Sequence, residues 1–204
     1  AVDCAVEVFG SKSAAFTHEQ RWTFRPDGTV SCKSVSTPRG DMPRLPRLGL
    51  SMVLDPSLEN MRYYGRGPHE NYIDRKGSQR LGIFSQNVAD QYYGYVRPQE
   101  SGNKADVRYW TLTNVQGKGL TFQATGNMEC STLPYLVSDL DGGPVKYAHQ
   151  YHSGDLTPRK LSVLQIQARQ FGLGCVNSWG AWPRNEYQMP YQDYRFTYIV
   201  KAVK

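Results

Sequence analysis

Four carboxylates and four arginines share one stretch of the chain: Glu70, Asp74, Glu100 and Asp106 among Arg66, Arg75, Arg97 and Arg108. Paired carboxylates can do general acid/base work. Cleaving a glycosidic bond takes two of them roughly 5 to 9.5 Å apart, one kept protonated. Here each acid has an arginine nearby, and an opposite charge depresses a carboxyl pKa rather than raising it. The pairs therefore read as charge-assisted hydrogen bonds, with Glu70 and Glu100 also accepting from backbone N–H groups and so locking two loops together. His69 is a base by type, but a lone histidine is more often structural or exposed. His149 and His152 flank Tyr151 with no third ligand beside them. Cys4, Cys32, Cys130 and Cys175 are far apart, whereas zinc sites favour short paired spacings, so no metal is expected. They read as small buried hydrophobes, with one disulfide left open.

The backbone under these side chains is dense in Gly and Pro. The first run is Gly65-Arg66-Gly67-Pro68-His69-Glu70-Asn71-Tyr72-Ile73-Asp74-Arg75, and the second is Pro98-Gln99-Glu100-Ser101-Gly102-Asn103 followed by Asp106-Val107-Arg108. That composition predicts a tight, non-repetitive backbone from Tyr63 onward. A third run, Gly172 to Gly180, carries Asn177 and Trp179, with Trp182 just beyond. An indole on a glycine-flanked loop offers a large rigid face for a sugar ring. The same residue equally well plugs one end of a sandwich.

The elements that must position these runs are strands. Val2, Cys4, Val6 and Val8 alternate with Asp3 and Glu7, Leu48, Leu50, Met52 and Leu54 form a second alternating run, and Tyr194, Phe196, Tyr198, Val200 and Ala202 alternate with Arg195, Thr197 and Lys201. Trp22 and Phe24 lead into Pro26-Asp27-Gly28, and Val30 and Cys32 resume beyond it, which predicts a hairpin over residues 20–36. Val107 to Thr113 pairs with Gly119 to Thr125 across residues 114–118; a turn follows at Asp141-Gly142-Gly143-Pro144, then a strand over Leu161 to Ala168. No window carries a sustained helical stripe with caps. The expectation is all-β: residues 1–204 as one large antiparallel β-sandwich.

Composition sets the remaining bounds. At 204 residues the chain fits one domain. It opens without Met and already in strand pattern, which reads as a fragment of a longer chain. No apolar run approaches the roughly 18 residues of a membrane helix, so no membrane is expected as partner. The net charge of +6 is spread along the chain, and Arg39, Arg44 and Arg47 are interrupted by prolines. Without a contiguous basic face or a recognisable module, nucleic acid is not expected either.

The three runs, in this order and spacing, resemble the C-terminal, small-chain domain of bacterial β-galactosidases of glycoside hydrolase family 2, over essentially the whole chain and most closely from Arg47 onward. The resemblance implies a supersandwich similar to galactose mutarotase. It also implies that the catalytic glutamates lie on a separate barrel domain of the parent, so this chain holds no catalytic residue and no cofactor. In that reading Trp179 reaches the barrel's site and stacks on the β-galactoside, with Asn177 and Trp182 beside it. Gly65, Gly67, Pro68, Glu70, Asn71, Tyr72, Asp74, Arg75, Pro98, Gln99, Glu100, Gly102, Asn103 and Arg108 are implied to be structural. The implied partners are the sugar, the barrel and the parent's other domains; the compartment, cytoplasmic or periplasmic, follows the parent. This chain departs from the family in Ser101 for Asn, Tyr63 and Tyr109 for Trp, Gln167 for Asp, and Gly174-Cys175-Val176-Asn177 where Gly-Gly-Asp-Asp is usual. Two other readings share these residues: a free-standing carbohydrate-binding module, and a mutarotase-like epimerase using His69 and a glutamate.

Overall fold

The computed structural model describes residues 2–9, 14–40, 44–141, 152–177 and 179–204, with side chains from Phe16 onward. Ten strands carry the fold: β1 (Val2–Phe9), β2 (Ala14–Phe24), β3 (Val30–Pro38), β4 (Arg47–Leu54), β5 (Asn60–Gly67), β6 (Arg80–Asn87), β7 (Lys104–Thr113), β8 (Gly119–Leu133), β9 (Ser162–Gln170) and β10 (Tyr194–Val203). A single helical turn, α1 (Val137–Leu140), follows β8. Among the described residues every strand pairing is antiparallel.

Two hairpins show how local chemistry sets register. Between β2 and β3 the Asp27 carboxylate accepts the Thr29 N–H at 2.9 Å, and Gly28 takes φ +79°. Between β7 and β8 the Asn114 side chain accepts from the N–H groups of Gln116 and Lys118, both at 3.0 Å, with Gly117 at φ +77°. In each, a short side-chain acceptor closes the turn and glycine supplies the positive φ that other residues resist.

The main sheet runs β1-β2-β3-β10-β8-β7-β5-β6. Strand β8, 15 residues long, serves two neighbours along one edge: its first half pairs with β10 and its second half with β9. The change comes at Thr125 to Asn127, exposed and with Gly126 at φ +99°. Strand β9 then carries β4. The β9–β4 pair closes over the main sheet in a sandwich-like arrangement, and one core joins the two. Leu164 and Ile166 from β9, with Met52 and Leu54 from β4, meet Met61, Tyr63, Trp110, Leu112 and Phe122. Each such side chain, fully buried, is worth about 1.5–3 kcal/mol.

The expected irregular backbone holds from Pro68 to Arg75 but is corrected at the start of the first glycine-rich run. Gly65, Arg66 and Gly67 lie in β5, and β6 follows as a second strand in the stretch. Their glycines answer crowding from side chains of the same sheet. A Cβ at Gly65 would lie 2.9 Å from Val107 Cγ2, and one at Gly67 would lie 2.1 Å from the Tyr63 hydroxyl. Arg66 sits in a strand because Asp106 meets its Nε at 2.5 Å.

Cys32 and Cys130 are buried free thiols and Cys175 an exposed one; the Cys4 side chain lies outside the described residues, as do His149, Tyr151 and residues 142–144 of the expected turn. Among the described residues no helix is long and apolar enough to cross a membrane, and no group of three His, Cys, Asp or Glu could hold a metal ion.

Candidate functional site

The first two runs are bound together through Asn71, Glu70 and Asn103. Asn71, wholly buried, donates from Nδ2 to the carbonyls of Arg66 and His69 at 3.0 Å each and accepts the Ala105 N–H at 2.9 Å. Its backbone N–H donates to the Asn103 carbonyl, and the Asn103 amide donates back to the Asn71 carbonyl at 2.9 Å. The Glu70 carboxylate accepts the Gly102 N–H at 2.7 Å, the Arg75 guanidinium at 2.5 Å and the Tyr95 hydroxyl. The Arg75 guanidinium lies over the Tyr72 ring, 4.8 Å from its centroid. His69 is exposed and enters this network through its backbone.

Glu100 corrects one sequence expectation. Arg47 does meet it at 2.6 Å, yet burial outweighs the arginine and its carboxyl is raised above the usual range. Asp106 behaves as expected: burial works to raise it, but hydrogen bonds from Lys76 and Arg66 win and hold it low. Arg108 donates to the Asp106 carbonyl and lies 5.4 Å over the Tyr64 ring. Pro98, Gln99 and Glu100 border a cleft of about 540 Å³ with Arg47, Phe171 and Leu173 on its other sides.

Two buried charges were not picked out from the sequence. Lys104 donates to Gln91 Oε1 at 2.9 Å and to the Gly102 carbonyl at 3.2 Å, and burial lowers its pKa to about 8. Glu129 accepts from the Asn103 amide at 2.9 Å and is pushed up to about 7 by burial, which that hydrogen bond only partly opposes. A glutamate raised in the fold binds its proton more tightly there than in the unfolded chain. Its contribution to stability is therefore full below the ordinary value of 4.5 and is lost as pH rises through about 7. Urea unfolding at pH 5 and pH 8 should show the native protein losing about 2–3 kcal/mol more than Glu129→Gln over that interval. Parallel losses in the two proteins would contradict this.

The third run hangs on the first. Asp74 accepts the N–H groups of Leu173, Gly174 and Cys175 at 3.1, 2.7 and 3.1 Å. Beyond them the Asn177 side chain accepts the Trp179 N–H at 2.8 Å and the Ala181 N–H at 3.4 Å, so it shapes the turn that carries the indole. Gly180 follows at φ +93°. Trp179 is 93% exposed, an unusual position for the largest apolar side chain. Trp182, 59% exposed, meets Phe171 edge-on at 5.5 Å and has the Arg44 guanidinium 5.0 Å over its ring. The three runs thus form one assembly, with Glu70 and Gly102 joining the first two and Asp74 joining the first to the third.

Residues 2–200 match the model of a family described as the β-galactosidase small chain. The chain is also similar to β-galactosidases of Priestia megaterium, at 34% identity over 89% of this chain, and Halalkalibacterium halodurans, at 32% over 89%. It is 30% identical over 93% of its length to the β-galactosidase BgaC of Bifidobacterium adolescentis. The chain spans 17%, 18% and 19% of the length of these three relatives.

Proposed function

The chain belongs to the β-galactosidase small-chain family, and on that premise we propose that it works as an accessory domain of a β-galactosidase, supplying one aromatic wall of a site whose catalytic carboxylates lie elsewhere in the polypeptide. The whole enzyme, on this reading, hydrolyses terminal β-galactosides on a barrel domain against which this sandwich packs. Trp179 forms the wall, with Asn177 holding its turn and Trp182 alongside. One observation carries the reading: an indole 93% exposed to water stands on a loop hydrogen-bonded at three points to Asp74. A flat apolar ring held this way can cover the C–H face of a pyranose with little loss of conformational entropy. The carboxylates of this chain support the same division of labour. Glu70 and Asp106 are engaged by arginine or lysine, and Glu100 by Arg47, as side chains that hold a loop assembly together would be.

Trp179→Ala in the complete enzyme should raise KM for a chromogenic galactoside roughly threefold to tenfold, with a smaller effect on kcat, and Trp179→Phe should restore part of the loss. The isolated chain should give no turnover. An unchanged KM in Trp179→Ala, or turnover by the isolated chain, would defeat the proposal. The exposed Trp179 and Trp182 also permit a free-standing carbohydrate-binding module. Titrating the isolated chain with galactose or lactose decides that: saturable quenching of tryptophan fluorescence, lost in Trp179→Ala, is its required result.

A further inference from the structure

We infer that Asp74 is the positioning residue for Trp179, fixing where the indole stands relative to the sheet; this rests on the reading of Trp179 as a sugar wall. Its carboxylate gathers three successive backbone N–H groups, from Leu173 to Cys175, immediately before the segment that bears the indole. Successive N–H groups converging on one anion make an anion-binding concavity. The chain leaves it through Cys175, at φ +55°.

The fit leaves no slack on the loop side. A Cβ on Gly172 would lie 2.7 Å from both Cγ and Oδ2 of Asp74, and one on Gly174 would lie 3.1 Å from Oδ2. Glycine is required at position 172 because the carboxylate presses against the backbone, although its φ is ordinary. The loop is also tied from the other side, where the Gly172 N–H donates to the Tyr187 carbonyl at 2.8 Å.

Asp74 is itself held. Arg75, the next residue, is gripped by Glu70 at 2.5 Å, and Glu70 accepts the N–H of Gly102, two residues before β7 begins. An unbroken line therefore runs from β7 through Gly102, Glu70, Arg75 and Asp74 to the concavity and on to Trp179. This gives the first two runs a role in the site that they never touch: they form the pedestal of the indole. A displacement of the loop by 1 Å is enough to impair a stacking contact, because binding groups act only when correctly aligned.

Two substitutions of unrelated chemistry test the assignment in the complete enzyme. Asp74→Asn keeps the shape but turns one acceptor into a donor, which must face a backbone N–H. Gly172→Ala keeps the charge but drives a methyl into the carboxylate. Each should raise KM for the galactoside roughly threefold to tenfold with kcat changed less, as loss of the stacked wall would. Neither should raise it further when Trp179→Ala is already present, since coupled residues are not additive. If Asp74→Asn costs the same factor with and without Trp179, it acts elsewhere and the assignment fails. If Trp179→Ala raises KM and both other variants are silent, the assignment alone fails. If Trp179→Ala is silent, the wall reading falls and takes this inference with it.

Discussion

Asn71→Asp should destabilise the domain by about 3–5 kcal/mol, the cost typical of a buried charge left without a partner. The substitution changes one NH2 group to oxygen and almost nothing in volume. In the native chain that NH2 donates to the carbonyls of Arg66 and His69, 3.0 Å away on either side. A carboxylate oxygen there faces two acceptors at hydrogen-bond distance, inside a site with no exposure to water. It can neither donate nor be solvated, so both carbonyls also lose their partner. The Asp carboxyl must then bind a proton more tightly when folded than when unfolded, and the loss should shrink as pH falls towards 5. Urea unfolding of the two proteins at pH 7 and pH 5 measures both effects. A loss under about 1 kcal/mol at pH 7 would mean that the Asn71 amide is dispensable, contrary to its three bonds.

The strands that alternate cleanly were legible in the sequence. Leu48 to Leu54 became β4, residues 20–36 a hairpin of β2 and β3, and Tyr194 to Ala202 nearly all of β10. Period-two patterning survives in these because only one face of each is buried. The strand over Asn60 to Gly67 was hidden by its own packing. Gly65 stands where Val107, 42 positions later, leaves no room for a Cβ, and Arg66 is neutralised by Asp106, 40 positions later. A composition set by contacts that distant looks like a loop when read locally. The same holds for β6, whose Leu81 and Ile83 face solvent rather than the core.

The site divides along the same line. Gly172 to Gly180 marked a loop around the indole, because backbone freedom is a local property, but left open whether the ring was exposed or plugged the sandwich. That Asp74 would bind this loop from 99 to 101 positions away could not be read from spacing. Lys104 and Glu129 gave no signal, since lysine and glutamate are ordinarily solvated and nothing nearby in sequence marks them as buried. Glu100 exposes the weakest step in reasoning from charge pairs. An adjacent arginine predicts a lowered carboxyl, but burial is a property of the whole fold, and here it is the larger effect.

Trp110→Ala should cost about 3–5 kcal/mol, as deletion of a buried aromatic ring usually does. Trp110 is fully buried on β7 and stacks on Tyr63 of β5, with ring centroids 4.9 Å apart. Its indole N–H donates to the Thr132 hydroxyl at 3.0 Å, on the half of β8 that has turned to pair with β9. One side chain thus ties the main sheet to the layer above it, where truncation leaves both a cavity and an orphaned hydroxyl. The two terms separate in a cycle. Trp110→Phe keeps an aromatic ring but strands Thr132, and should cost about 1–3 kcal/mol beyond the lost volume. Thr132→Val strands the indole N–H by a similar amount. With both substitutions no polar atom is left unpaired, so the double variant should be more stable than the sum of the single losses by about 1–2 kcal/mol. Urea unfolding of the four proteins gives the coupling directly. Strict additivity would mean that the Trp110–Thr132 hydrogen bond does not hold the layers together.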